Sequence, residues 1–284
     1  MKPVELFHIG PQKAASTWVY RSLREHPQIA CPPRDTIHYF DMFYARGRDW
    51  YTTFFRGARD DQKLFDPTYT YIRSPWAPQR IARENPNARI VLCLRNPIER
   101  AFSHYWHERK KRVIRYEFSE VLSNYDLFAS WVEPGFYAAH LERYLEYFPR
   151  EQLLCQRFEQ LESDPASFLR ELLSFAGVDT ELEPAVLHER VAPAGAERDL
   201  LSAGYYLFRS QRLLRRLGVA PRTLERVQRR VPGLRWHAAY DAGISAAVHA
   251  ALLEICEPEI AELEKLLDRD LSSWRCRPVP AGDP

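Results

Sequence analysis

Several features are scarce or missing in these 284 residues. The five cysteines (Cys31, Cys93, Cys155, Cys256 and Cys276) are odd in number, scattered and without C-x-x-C spacing. Neither a disulfide framework nor a cysteine metal site is expected from that pattern. No apolar run approaches membrane-spanning length, and no charged segment leading into an apolar one precedes the first strand, so no signal peptide is expected. Net charge is only +2, which excludes a chain-wide field for nucleic acid, although 40 Lys plus Arg can still concentrate locally. Internal repeats and low-complexity segments are absent. What remains reads as a globular protein, expected to be cytoplasmic, with 45% apolar and 27% charged residues, long enough for one large domain or two small ones. Its basic residues are mostly arginine, which suits bidentate contacts to phosphate or sulfate, though a GC-rich genome gives the same bias.

The chain is organised around Phe7 to His26, FHIGPQKAASTWVYRSLREH. Val4 to Ile9 is apolar and partly β-branched, as in a short buried strand. Gly10-Pro11 breaks it, and from Ser16 the pattern becomes helical, with Trp18, Val19 and Leu23 on one face and a stop before Pro27. A strand, a tight loop and a helix N-terminus direct backbone amides and the positive end of the helix dipole at the loop. Lys13 adds a charge, and Ser16 and Thr17 add hydroxyls. The G-x-x-x-x-G-K-[ST] loop of nucleotide triphosphatases is not matched: Ala15 stands at the second glycine and Ser16 at the lysine. An ordinary strand–turn–helix with a solvated lysine gives the same local pattern.

Further along, Cys31 to Asp41 reads as a loop entering an aromatic, histidine-containing segment, and Tyr44 to Phe55 is rich in aromatic residues and arginine. That composition fits either packing onto the core or a binding surface. Lys63 to Pro67 reads as a short strand and Ala77 to Glu84 as a helix. Arg89 to Leu94 (RIVLCL) is a continuous apolar strand of the kind found inside a parallel sheet. A phosphoryl transferase often carries a magnesium-binding Asp at the end of such a strand, whereas this one ends in Arg95. Ile98 to Lys111 is expected to be helical, placing Ser103 about two turns in, able to face the same crevice as Arg95. Helices are expected at Phe118–Trp131, Gly135–Phe148 and Ala166–Ala176, with a buried strand at Leu153–Phe158. The alternation implies an α/β fold with a parallel sheet. Val191 to Asp241 is less regular, carries Arg212, Arg215, Arg216, Arg222, Arg226, Arg229 and Arg230, is divided by Pro221 and Pro232, and reads as a solvated helical lobe or as a lid for an anionic partner. A last helix, Ile244 to Leu267, is expected to pack across the sheet, followed by a loose tail at 278–284.

These blocks carry a resemblance. GPQKAASTWVYRSLREHP, then DTIHYFD and DWY, then LRNPIERAFSHYW and finally EIAELEKLLDRDLSSW make the chain similar to sulfotransferases that use 3′-phosphoadenosine 5′-phosphosulfate (PAPS). The branch of heparan sulfate N- and 3-O-sulfotransferases with their bacterial relatives is the nearest. The resemblance implies one sulfotransferase domain over 1–284 with a P-loop-like three-layer fold: a central, mainly parallel sheet flanked by helices, plus the helical lobe at 191–241. It implies that Lys13, Ala14, Ala15, Ser16, Thr17 and Trp18 bind the 5′-phosphosulfate, with Lys13 neutralising the departing phosphate. Arg95 and Ser103 match the pair that holds the 3′-phosphate. Two separate anion sites suit a 3′,5′-bisphosphate better than a triphosphate. The implied reaction is in-line sulfuryl transfer to a hydroxyl, less often an amine, without a metal.

The sequence also lacks two things the resemblance leads one to expect. Relatives read Lys-Glu-x-His-aromatic-Phe-Asp, with Glu as general base; aligned on His38 to Asp41, that position is Thr36 and the Lys is Asp35. Threonine is no base at neutral pH. Asp35 shifts into the role, His38 takes it, the acceptor needs little assistance, or activity is lost; His38 is preferred to Asp35, and both to His104 or His107. Where relatives often carry Lys-Ser/Thr-Pro, this chain has Phe65-Asp66-Pro67, which loosens the inference of a polyanionic sugar acceptor. The late cysteine pair of secretory relatives is missing as well. A small-molecule, saccharide or lipid-linked acceptor is expected. Two other classes remain open: a nucleotide kinase, and a non-catalytic protein binding a sulfated glycan or the product nucleotide 3′-phosphoadenosine 5′-phosphate (PAP).

Overall fold

The computed structural model describes residues 2–110, 116–188 and 243–276. Contacts group residues 1–192 and 244–284 into one unit and 193–243 into a second. The lobe expected at 191–241 and the tail at 278–284 lie outside the described residues.

Five strands form one sheet: β1 (Leu6–Gly10), β2 (Ile29–Ala30), β3 (Lys63–Asp66), β4 (Arg89–Leu94) and β5 (Leu153–Arg157). Their order is β2-β3-β1-β4-β5, and every pairing is parallel. Parallel pairing needs a crossover each time, so helices cover both faces and the strands are buried runs, not alternating ones. All five residues of β1 are buried, as are Ile90 to Leu94 of β4. Because all strands run the same way, Gly10, Asp66 and Leu94 end on one edge.

On one face, Leu6, Val91, Cys93 and Leu154 pack against α1 (Ser16–Arg24), α7 (Phe158–Ser163) and α8 (Pro165–Ala176) through Trp18, Leu23, Leu161, Phe168 and Leu172. On the other, Phe7 meets Phe40 edge-on at 5.6 Å. Cys93 and Cys155 are both core residues. The remaining helices are α2 (Gly47–Thr52), α3 (Ala77–Glu84), α4 (Pro97–Lys110), α5 (Tyr125–Trp131), α6 (Tyr137–Leu145) and α9 (Ala246–Leu267). Asn96 opens α4, its Oδ1 accepting from the amides of Ile98 and Glu99.

Three expectations need correction. Phe118–Trp131 is not one helix: a 3₁₀ turn over Phe118–Leu122 stops, and Asn124 caps a fresh start by accepting from Asp126 and Leu127. A 3₁₀ turn at Glu133–Gly135 likewise holds α6 back to Tyr137. The last helix packs mainly on α6 and α4, not across the sheet; an apolar stripe does not say which surface it meets. β2 lies between the end of the first helix and the loop from Cys31, in residues given no assignment from the sequence, since two residues are too few to carry a period.

Candidate functional site

Gly10 is the hinge of the site. At φ +117° it adopts a conformation open to glycine, and a Cβ there would lie 2.0 Å from the Tyr69 carbonyl oxygen. The strand then turns through a cis Gly10–Pro11 bond into the loop. Among the described residues four non-glycines have left-handed φ, and three of them, Lys13 (71°), Ala15 (62°) and His38 (60°), fall on the positions singled out from the sequence. Such conformations cost about 1–3 kcal/mol each and collect where geometry serves function. Ala15 is the N-cap of α1 and offers no side-chain hydrogen bond, and no acidic residue sits in the first turn. The opening amides of a helix have no intrahelical acceptor, so those of Ser16, Thr17 and Trp18 are available to an anion. Ala14 is fully buried beneath the loop, while Thr17 is exposed above it.

Two guanidiniums reach this loop from the start of α4. Arg95 donates from Nη1 to the Lys13 carbonyl at 3.4 Å, and Arg100 from Nη1 to the Gln12 carbonyl, also at 3.4 Å. Consecutive carbonyls are thus drawn toward the arginines. Arg95 also contacts Glu99 at 3.5 Å and stacks over the Phe158 ring at 4.5 Å. Its Nε is buried with no hydrogen-bond partner among the described residues, a donor whose desolvation they do not repay. Arg100 is fully buried, bonds the Trp131 carbonyl through Nη2, and has a pKa pulled down to about 10 by that burial. Ser103 is buried on α4 beside His104. Burial, reinforced by the charges of Arg100 and Lys13, lowers His104 to about 3, so it stays neutral.

The second cluster hangs from the carboxyl end of β3. His38 Nδ1 lies 3.3 Å from Asp41 Oδ2 and 3.1 Å from Thr70 Oγ1, and Thr70 donates its only proton to Asp41 at 2.5 Å. With that proton committed, Nδ1 must carry a hydrogen to bond either oxygen. Neutral His38 therefore presents Nε2 as its acceptor nitrogen. Burial acts to raise the Asp41 pKa, but hydrogen bonds from His38 and Thr70 outweigh it and hold the carboxyl below its ordinary value. Since Tyr69 abuts Gly10 and Thr70 bonds His38, the imidazole stands on the same sheet edge as the loop. Asp35, by contrast, is exposed on the preceding turn.

The structure joins Lys13 to Arg95 directly and gives His38 a carboxylate partner. Sequence reasoning passed over Asp41, Thr70 and Arg100. A His-x-x-Asp spacing at 38–41 was a usable signal for Asp41; nothing in the sequence ties Thr70 to it. No helix among the described residues is long and apolar enough to cross a membrane.

An α/β sheet carrying an anion loop at its carboxyl edge defines a broad class of phosphate-binding proteins. Within it, the chain belongs to the sulfotransferase family: the sulfotransferase domain model matches residues 3–192. A human bifunctional heparan sulfate N-deacetylase/N-sulfotransferase 3 is 36% identical over 189 residues, covering 60% of this chain and 22% of that protein. The mouse bifunctional heparan sulfate N-deacetylase/N-sulfotransferase 1 is 31% identical over 198 residues, 63% of this chain and 22% of that protein. The chain thus spans about a fifth of the length of these relatives. Among solved structures, a sulfotransferase from Alicyclobacillus acidocaldarius shares the fold, with a TM-score of 0.71 at 24% identity over 97% of this chain and 100% of that one.

Proposed function

We propose that this protein moves a sulfuryl group from PAPS to a hydroxyl or amine of a small-molecule, saccharide or lipid-linked acceptor. The observation that carries the reading is the linkage of two cationic anchors, Lys13 in the loop and Arg95 at the end of β4, with a buried Nε on the arginine that has no partner among the described residues. These residues fit a nucleotide with phosphates at both 3′ and 5′ positions. Ser16, Thr17 and the first-turn amides, Trp18 included, would hold the 5′-phosphosulfate; Arg95 and Ser103 would hold the 3′-phosphate. PAPS supplies the activated sulfuryl group. Lys13 offsets the negative charge that grows on the leaving phosphate, where a preorganised charge acts most strongly.

His38 is the general base in this reading. Its Nδ1–H is fixed by Asp41 and Thr70, so Nε2 takes the acceptor's proton and the Asp41 carboxylate stabilises the imidazolium formed. This pair compensates for Thr36 at the position where a glutamate was expected, and it leaves exposed Asp35 without the role. The names of the curated relatives make a saccharide amine a reasonable first acceptor to try. Five free cysteines support a reducing, cytoplasmic setting.

The test is calorimetric titration with PAP in the absence of metal, beside ATP with magnesium. Tight PAP binding and negligible ATP binding are expected. The reverse result would replace this reading with that of a nucleotide kinase.

A further inference from the structure

Asp66, the last residue of β3, is fully buried, and no cation is bonded to it among the described residues. Four donors surround it instead. Oδ1 accepts from the Thr68 amide at 3.0 Å and the Thr68 hydroxyl at 2.5 Å; Oδ2 accepts from Tyr51 at 2.9 Å and Tyr71 at 3.0 Å. Two of those hydroxyls are acceptors in turn. Thr68 Oγ1 receives the amides of Ile37 (2.9 Å) and His38 (3.4 Å), and the Tyr71 oxygen receives those of Tyr39 (3.0 Å) and Phe40 (3.3 Å). Four consecutive amides of the His38 segment are thereby tied, through two hydroxyls, to one carboxylate.

We propose that Asp66 is a positioning residue for His38, acting through Thr68 and Tyr71 on the backbone of residues 37–40. The inference rests on the reading of His38 as the base.

An ionised carboxylate only accepts, so it obliges both hydroxyls to donate inward and leaves their lone pairs for the loop amides. An amide at this position would offer a donor and leave the hydroxyl directions undetermined. Polarisation along such a chain strengthens each bond. The loop needs this hold because His38 is left-handed at φ 60°, which an L-residue adopts only where its surroundings over-determine it. Burial has a cost, raising the Asp66 pKa to about 6 even against its four hydrogen bonds. Packing alone does not call for a buried charge.

Tyr51 provides an internal control. It is as buried as Tyr71 and donates to the same Oδ2, yet its hydroxyl receives no loop amide among the described hydrogen bonds. Thr68→Val, Tyr71→Phe and Tyr51→Phe are to be compared by hydrogen–deuterium exchange of residues 37–40. Turnover is measured with radiolabelled PAPS on whichever saccharide, small-molecule or lipid-linked acceptor wild type uses fastest, or on water. Thr68→Val and Tyr71→Phe are each expected to speed exchange at 37–40 by about tenfold or more. Both should lower kcat by about tenfold with the KM for PAPS unchanged; Thr68→Ser restores both, and Tyr51→Phe stays within twofold of wild type. Unchanged exchange in both relay variants would overturn the proposal and leave His38 standing as base. Faster exchange with unaltered kcat would overturn the positioning role. Wild-type turnover in His38→Ala, a separate result, would remove the base assignment without touching the exchange data.

Discussion

Arg95 Nη1 and the carbonyl oxygen of Lys13 are 3.4 Å apart, so residues 82 positions apart in sequence are fixed to one another at the mouth of the site. An arginine assigned to one phosphate thereby also steadies the lysine assigned to the other.

Arg95→Ala is expected to weaken PAP binding by at least about 30-fold, the lower end of the roughly 2–5 kcal/mol lost with a buried charged contact. Arg95→Lys should recover only part of this, because one ammonium cannot span the Lys13 carbonyl and a phosphate as a fork does. Calorimetry with PAP decides it. An Arg95→Ala variant binding as tightly as wild type would sink the 3′-phosphate assignment.

Lys13→Ala is expected to lower the single-turnover rate by about 10²–10³, the usual effect of removing one transition-state contact. PAP affinity should fall far less. A loss confined to binding would mean that the lysine only tethers the nucleotide.

His38→Ala should reduce turnover by about 10²–10⁴, the range for a general base. Asp41→Asn should give a smaller loss in the same direction, because it removes the partner that orients the ring. Asp35→Ala should stay near wild type. If Asp35→Ala falls furthest of the three, the base has been misassigned.

Acid should unfold the protein through its buried histidines. Burial lowers the His8 pKa from its ordinary 6.5 to about 4, so between these values the unfolded chain binds a proton that the folded chain refuses. Its stabilising effect is complete above pH 6.5 and is lost as pH falls toward 4, by about 3 kcal/mol in all. His104 and His140 act in the same sense, while Asp66, with its raised pKa, opposes them. Comparing wild type with His8→Val isolates the one histidine: denaturant midpoints at pH 7.5 and pH 5 should fall for wild type and fall less for the variant. Equal losses would show that His8 is not responsible.

The framework was legible because its elements advertise themselves locally. RIVLCL is a strand by composition alone, Gly10-Pro11 marks where β1 must end, and Ala77–Glu84 was bounded by its own proline and asparagine. The loop, the lysine and the strand-end arginine of the candidate site could be placed with them, since they sit on those elements. The contacts around His38 could not. His38 to Asp41 spans only three residues, but the hydrogen bonds of Thr70 and the amide network of Asp66 exist only once β3 lies beside β1. The stripe on α9 was visible in the sequence; the helices it meets were not, because facing a sheet and facing two helices require the same 3.6-residue period.

One brace has a practical consequence for anyone who would shorten this chain. Asn96, next to Arg95, donates from Nδ2 to the Trp274 carbonyl at 2.9 Å, and the Trp274 indole bonds Glu159 at 3.0 Å. The match to the family's domain model stops at residue 192, yet this support comes from far beyond it. A fragment trimmed to the homologous boundary would keep every residue assigned to the nucleotide and lose the clamp behind Arg95. Such a fragment should bind PAP more weakly than the full chain, and the borders of the matched domain are therefore a poor guide to where the working protein ends.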